Sequence, residues 1–110
     1  MAWTARHRYA RIAERKARLV VDLIRGMNCN RAVETLRFTH RRASPMVRRV
    51  LESAMANANE QEAAMNSLFV AEARVDSGPI IKRFRPKDRG RAHAIQRRTS
   101  HIVISVDERG

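Results

Sequence analysis

Cysteine and aromatic residues are scarce in this sequence and long apolar runs are absent from it. Each of these shortages limits the class of protein that it can be. The single cysteine, Cys29, can form neither an internal disulfide nor a cysteine-rich zinc site, which is typical of a reducing compartment. Aromatic residues make up 5% of the chain, which limits the number of bases that can stack on it. No apolar run approaches the roughly 20 residues that span a bilayer, and the basic residues 1–18 lead into no apolar stretch of a secretory signal. We therefore expect a cytoplasmic protein without a membrane segment.

Positive charge is what the sequence has in excess. Lys and Arg number 23 against 11 Asp and Glu, so the formal net charge is +12 over 110 residues. A chain with this charge repels itself unless an anionic partner neutralises it, and the partner that we expect is nucleic acid. The hydrophobic fraction of 44% supports a packed core, which excludes a wholly disordered chain. At this length we expect residues 1–110 to form a single domain, too small for a multidomain enzyme.

The first part of the chain predicts a strand followed by a helical hairpin. Residues 3–9 alternate as a half-buried strand does. Its predicted inward side chains are Trp3, Ala5, His7 and Tyr9. From residue 12 to residue 24 the apolar residues recur at helical spacing, and Gly26 then offers the left-handed position that commonly ends a helix. Asn28 or Asn30 can cap a short second helix.

A third helix is predicted from the helical spacing of apolar residues between Val47 and Ala58. Two starting points remain open. Ser44-Pro45 has the pattern of an N-cap followed by a first-turn proline, whereas Thr39 could cap the helix five residues earlier.

Two further strands are predicted on either side of a long basic segment. Residues 69–75 alternate with Phe69, Ala71, Ala73 and Val75 on one face, and residues 102–106 repeat the pattern. If these strands pair antiparallel with residue 72 near 104, the chain folds back near Asp88. Each strand beyond Asp76 is then about 12 residues and roughly 40 Å long. Residues 77–100 are therefore expected to form an extended β-hairpin, which we call the arm.

The arm holds the stronger of two basic clusters. Between residues 82 and 98 it carries eight cations against a single acid, Asp88, so it suits a surround of phosphates better than burial in its own domain. The eight are Lys82, Arg83, Arg85, Lys87, Arg89, Arg91, Arg97 and Arg98. The second cluster, which suits either phosphate contact or a solvated helix face, is Arg6, Arg8, Arg11, Arg15, Lys16 and Arg18. A solvated, disordered tail is the alternative interpretation of the arm, but strand patterns flank it on both sides.

Catalysis is not expected from this sequence. His7, His40, His93 and His101 could suggest a two-histidine ribonuclease, yet they lie far apart and show no spacing of metal ligands or of a nucleophile and its base. His93 and His101 fit better as part of the basic surface or as local hydrogen-bond partners. Cys29 precedes an apolar helix and is expected to fill the core. We expect no cofactor and no metal.

Five stretches together resemble a known family. They are R-K-A-R-L-V-V-D-L-I-R-G (15–26), V-L-E-S-A-M-A-N-A (50–58), G-P-I-I-K-R-F-R-P (78–86), G-R-A (90–92) and R-R-T-S-H-I (97–102). In this order they closely resemble bacterial large-subunit ribosomal protein twenty-two over nearly the whole chain. Asp88 departs from the family by placing a negative charge at the tip of the arm, and Pro45 lies where the family's third helix is already under way.

The resemblance implies a fold and a function. The fold is of the α+β class, with three helices on a three-stranded antiparallel sheet from which a long hairpin extends. The function is that of a monomer within the large ribosomal subunit, beside neighbouring ribosomal proteins and close to the exit of the nascent-peptide tunnel. The arm and the second cluster, together with His93, would bind large-subunit ribosomal RNA. The tip, which would help to line the tunnel beside the nascent peptide, consists of Arg85, Pro86, Lys87, Asp88, Arg89, Gly90, Arg91 and Ala92.

Two rival functions remain open at this stage. A DNA-bending architectural protein also uses basic β-arms with a proline at the tip, but such proteins are usually dimers. A small ribonuclease would lose its turnover of RNA when a single histidine is replaced. A monomer that sediments with large ribosomal subunits would favour the ribosomal function over both.

Overall fold

The computed structural model describes the backbone of residues 2–87 and 91–109 and the side chains of residues 2–80 and 98–109. The elements in chain order are β1 (Ala2–Ala10), α1 (Glu14–Ile24), α2 (Cys29–Phe38), α3 (Ala43–Glu60), a 3₁₀ turn (Met65–Ser67), β2 (Leu68–Lys87) and β3 (Arg91–Glu108). The strands form an antiparallel sheet in the order β1-β3-β2. The helices pack on one face of this sheet and share a core with it. The predicted α+β class is confirmed, with its helices, its sheet and its long hairpin.

The helical hairpin forms as its sequence pattern predicts. α1 buries Ala17, Val20, Val21 and Ile24, the predicted apolar stripe. Gly26 follows with φ of 82°, the left-handed region in which glycine meets no steric penalty. The side chain of Asn28 accepts a hydrogen bond of 3.0 Å from the backbone N–H of Asn30. Asn28 is therefore the cap of α2.

Neither predicted start of α3 is correct. The helix begins at Ala43, so Pro45 lies in its first turn, where a backbone N–H has no partner within the helix and its loss costs little. Thr39 serves α2 instead, because its hydroxyl donates a 2.7 Å hydrogen bond to the carbonyl of Thr35. The loop between the two helices, residues 39–42, is thus longer than it would be if Thr39 capped α3.

A β-bulge in β1 overturns the predicted position of Tyr9. His7 pairs with Ile102 and Ala10 with Ser100, so β1 has one residue more than β3 between these pairs. The extra residue moves Ala10 into the core and leaves Tyr9 61% exposed. The inward face predicted for residues 3–9 is correct at Ala5 and wrong at Tyr9.

A second bulge changes the predicted face of β2. Val70 pairs with Val106 while Glu72 pairs with Ser105, so Ala71 is the extra residue. Leu68 and Val70 are buried where Phe69 and Ala71 were predicted, and Ala73 and Val75 are buried as predicted. The same bulge shifts the register of β2 against β3 by one residue. The sequence predicted residue 72 near residue 104, and the observed partner of Ile104 is Ala73.

Beyond the body of the protein, β2 and β3 continue as the two strands of the arm. Pairing runs from Ser77 with Ser100 to Lys87 with Arg91, with one irregularity at Gly78-Pro79. Gly78 lies so close to Thr99 that a Cβ on it would come within 3.0 Å of the Thr99 carbonyl carbon. The predicted fold-back residue, Asp88, lies outside the described residues together with Arg89 and Gly90.

Candidate nucleic-acid interface

The second basic cluster lies at the surface, spread over the end of β1 and the first half of α1. All six side chains are exposed. Arg18 is the member of the cluster that is bonded to the body of the protein. Its guanidinium pairs with the carboxylate of Glu14 at 3.3 Å and donates a 3.0 Å hydrogen bond to the carbonyl of Val75. Within the described residues, the other five form no ion pair with an acid. Five cations of this cluster therefore have their charge available for an anionic partner.

Arg6 and Arg8 belong to a strand whose outer side faces away from the helices. We call the sheet surface opposite the helices the open face. Its described side chains are Thr4, Arg6, Glu72, Arg74, Asp76, His101, Val103 and Ser105, of which the four charged ones are exposed. Val103, the register partner of both Arg6 and Arg74, is only 3% exposed although it lies outside the main core. The stems of flanking arginines can bury an apolar residue in this way while their guanidinium groups remain in water.

At the base of the arm the structure describes the first of its cations. Arg98 is exposed and pairs in register with Ile80, which is 47% exposed. The hydroxyl of Thr99 donates a hydrogen bond to the carbonyl of Pro79 and so ties the two strands together where they leave the body. This link fixes the direction in which the arm departs.

Further along, only the backbone of the arm is described. Its register pairs Arg83 with Ile95, Arg85 with His93, Pro86 with Ala92 and Lys87 with Arg91. The side chains of residues 81–97 lie outside the described residues, and so do those of the predicted RNA-binding residues Lys82, Arg83, Arg85, Lys87, Arg91, His93 and Arg97. Asp88, Arg89 and Gly90 of the predicted tip lie outside the described backbone as well. The arm is established as a paired ribbon, and the contacts of its side chains remain a prediction.

The described charges are distributed unevenly between the two ends of the body. Ala10, Ser77 and Ser100 meet where the arm leaves, beside the cations Arg8 and Arg11. The other end, where β1 and β2 begin and β3 ends, carries four acids. These are Glu60, Glu62, Asp107 and Glu108, and the exposed Arg109 lies beside them. The body therefore has a positive end that bears the arm and an acidic end opposite to it.

Five exposed arginines complete the positive surface, and none of them was singled out from the sequence. They are Arg31, Arg37, Arg41, Arg42 and Arg49, none of which has an ion pair among the described residues. Arg41 and Arg42 immediately precede α3, next to Phe38, which is 81% exposed. Two consecutive arginines just before a helix whose start the sequence left open were the signal that could have identified Arg41 and Arg42.

Of the residues considered for catalysis, His7, His40, His101 and Cys29 have described side chains, and these four are not assembled into a metal-binding group. His101 accepts a 3.0 Å hydrogen bond at Nδ1 from the backbone N–H of Tyr9, which confirms a local bonding role. Cys29 is buried, and burial raises the pKa of its thiol to about 11, so it is no nucleophile near neutral pH. Across the described ranges, no group of three or more potential metal ligands comes together. In the same ranges, no helix has the length and apolar character needed to cross a bilayer.

A comparison with known families adds an independent line of support to this geometry. The model of one family matches residues 5–107, a span that includes the sheet, the three helices and the whole arm. That family is described as ribosomal protein L22p/L17e.

Proposed function

The chain belongs to the ribosomal protein L22p/L17e family, and we propose that its basic surfaces anchor it in large-subunit ribosomal RNA while the tip of its arm lines the nascent-peptide exit tunnel. Membership makes it a structural protein of the large ribosomal subunit that serves translation and is not an enzyme. The anchoring surfaces in this proposal are the second basic cluster and the arm from Lys82 to Arg98. Residues 85–92 form the tip.

The single observation that carries the proposal is the geometry of the arm. Ten residues separate Ser77 from Lys87, so the paired strands extend about 33 Å beyond the body. The whole chain measures 65 Å in its longest dimension against 25 Å and 17 Å in the others. A ribbon with eight cations and one acid between residues 82 and 98 is too highly charged to be buried in an apolar core of its own domain. Folded ribosomal RNA offers the anionic walls that such a ribbon requires.

The remaining parts of the proposal concern partners and organisation. Residues 1–110 act as one domain, and the protein is a monomer within the ribosome, in the cytoplasm. Its partners are large-subunit ribosomal RNA, neighbouring large-subunit proteins and the nascent peptide. The positive end of the body faces the RNA together with the arm, because that is where the described cations without acid partners meet the arm's base. The acidic end, with Glu60 and Glu62, faces away from the RNA.

Site-directed photo-crosslinking in assembled ribosomes tests both halves of the proposal. A crosslinking amino acid at Arg98 should attach to large-subunit ribosomal RNA, and one at Arg89 should attach to a stalled nascent peptide. The matched control is the same amino acid at Glu60, on the acidic end, which should give neither product. Failure of the Arg98 probe to reach RNA would overturn the anchoring role, and an Arg89 probe that never reaches the peptide would overturn the tunnel role.

A further inference from the structure

Tyr9, in the bulge of β1, forms an aromatic pair with His101 of the open face, and the family assignment does not explain this pair. We propose that this pair is a base-stacking platform, on which an unpaired base of the ribosomal RNA stacks against the exposed ring of Tyr9 while His101 holds that ring in place. The inference rests on the proposed RNA-binding function and names a specific site within it.

The backbone of Tyr9 is the first observation. Its φ of 57° lies in the left-handed region, which residues other than glycine seldom adopt. Strained backbone of this kind persists only where the surroundings over-determine it, and it concentrates at functional sites. A relaxed strand would turn the side chain of residue 9 inward, as the alternation of residues 3–9 predicted. The bulge instead turns the ring outward and seats Ala10 in the core.

The second observation is what holds Tyr9 in this conformation. Its backbone N–H donates to Nδ1 of His101 at 3.0 Å. The two rings also meet edge to face, with centroids 5.0 Å apart and planes at 84°. Such edge-to-face contacts are favourable for aromatic pairs. The ring of Tyr9 is thus oriented by two contacts to one neighbour, yet it keeps 61% of its surface exposed.

The charges around the pair favour an anionic ligand. Arg8 and Arg11 flank Tyr9 in the chain, both exposed and both without an acid partner among the described residues. The register partner of His101 is an acid, Asp76, and its carboxylate pairs with the Nε of Arg74 at 3.4 Å. Cations that neighbour an exposed aromatic residue in the chain suit a nucleotide, because its phosphates bind the cations while its base covers the ring.

RNA fits this surface better than another protein does. Proteins commonly bind single-stranded RNA on an open sheet face, where aromatic side chains stack on splayed bases. Such stacking tolerates any base, since each has a π-face. The platform therefore requires an unpaired nucleotide in the ribosomal RNA but does not require a particular base.

Substitutions at position 9 separate stacking from a purely structural role. Binding of the full chain to large-subunit ribosomal RNA is measured over a range of salt concentrations. Tyr9→Leu should weaken binding by about 5- to 150-fold, the range of base stacking on an aromatic ring. The salt dependence should stay unchanged, because stacking releases no counterions. Tyr9→Phe, the matched control, keeps the ring and should bind as the original chain does.

Tyr9→Gly distinguishes base stacking by the Tyr9 ring from a purely conformational role of residue 9 in the bulge. Glycine adopts the left-handed conformation without strain, so the folded protein should melt no lower than the original, while its RNA affinity falls as in Tyr9→Leu. A variant that melts lower and binds RNA normally would overturn the platform. So would Tyr9→Leu with unchanged affinity, in which case the steep salt dependence of the original chain would still support the proposed function. An original chain that fails to bind this RNA would overturn the function itself.

Photochemistry identifies the partner directly. Irradiation of assembled subunits should crosslink Tyr9 to a base of the ribosomal RNA, and mass spectrometry would locate the product. A crosslink from Tyr9 to a neighbouring protein instead would overturn the proposal and assign the aromatic pair to a protein contact.

Discussion

Ser77 at the base of the arm donates a hydrogen bond to the carboxylate of Glu14 at the start of α1, although 63 positions separate them in the chain. The same carboxylate oxygen, Oε2, receives Arg18 at 3.3 Å. Glu14 therefore connects a helix of the body to the first residue of the arm, and it does so at the point where the arm's direction is set.

Replacing Glu14 with alanine should weaken this connection. We expect Glu14→Ala to lower the free energy of unfolding by about 1 kcal/mol, since a partly exposed hydrogen bond and a partly exposed ion pair are lost together. Urea denaturation measures the change. Glu34→Ala, which removes an exposed acid without a bonded partner in the described part of the chain, should leave the midpoint nearly unchanged. Equal effects of the two substitutions would contradict a linking role for Glu14.

The exposed cations of the second basic cluster should contribute to the salt dependence of RNA binding. Each neutralised phosphate contributes a logarithmic slope of about 0.7 to 0.9. Arg8→Ala together with Arg11→Ala should therefore flatten the slope by about 1.4 to 1.8 if both residues touch phosphate. Replacing both by lysine keeps the charge and should keep the slope. An unchanged slope in the alanine variant would mean that the two side chains are only solvated.

Gly78 should tolerate no side chain. A Cβ there would lie 2.5 Å from Oγ1 of Thr99 and 3.0 Å from its carbonyl carbon, so the strands would have to separate. We expect Gly78→Ala to cost about 1–3 kcal/mol, the range for overpacking, and Thr99→Ala to restore part of the loss. Gly26→Ala provides the contrast, because nothing lies within 4 Å of its Cβ and its cost comes from the positive φ alone. Thr99→Ala should therefore not improve Gly26→Ala, and thermal melting would show whether it does.

The buried thiol of Cys29 should make the folded protein less stable in alkali. Its pKa is about 11 in the folded protein against 9.0 for an ordinary cysteine. Between these values the unfolded chain loses a proton that the folded chain keeps, so the stability contribution present below pH 9 is lost as the pH rises toward 11. Cys29→Ala should flatten this part of the stability profile. A thiol reagent that labels the folded protein rapidly at pH 8 would contradict the burial.

Shortening the arm should separate anchoring from tunnel lining. Deleting residues 86–91 leaves Phe84 paired with Ala94 around a loop of Arg85, Ala92 and His93, a length that hairpins commonly use. The tip then retreats by three residues per strand, roughly 10 Å. We expect subunit assembly to survive, since 20 of the 23 basic residues remain, while the tunnel constriction widens and peptide-dependent stalling changes. Loss of assembly, or normal stalling in a complete ribosome, would contradict this division of roles.

The fold was largely predictable because the periodic patterns of apolar residues are long. The errors in the prediction lie where one extra residue interrupts such a pattern. A bulge at Tyr9 or Ala71 reverses the faces of the residues on one side of it relative to those on the other, and no local pattern in the sequence marks where the extra residue falls. The start of α3 was missed because Arg42 occupies the N-cap position without a capping hydrogen bond, so the usual sequence signal is absent.

The RNA-binding surface was predictable in part for a different reason. Charge density along the chain identifies the arm without knowledge of its tertiary contacts, because the run is continuous in sequence. The pair of Tyr9 and His101 joins residues from opposite ends of the chain, and it depends on a bulge. Reasoning from the sequence therefore placed Tyr9 on the inward face of a half-buried strand and could not place it beside His101.

The uneven distribution of charge between the two ends of the body has a kinetic consequence. A molecule with cations at one end and Glu60, Glu62, Asp107 and Glu108 at the other has a large dipole moment along its length. In the field of a polyanion it experiences a torque before any contact forms, which turns the arm toward the RNA and shortens the rotational search that otherwise slows association. Approach with the acidic end first is less favourable, so under the proposed function we expect the protein to enter a folding ribosomal particle with the arm first. Added salt should slow this encounter even where the final complex stays saturated.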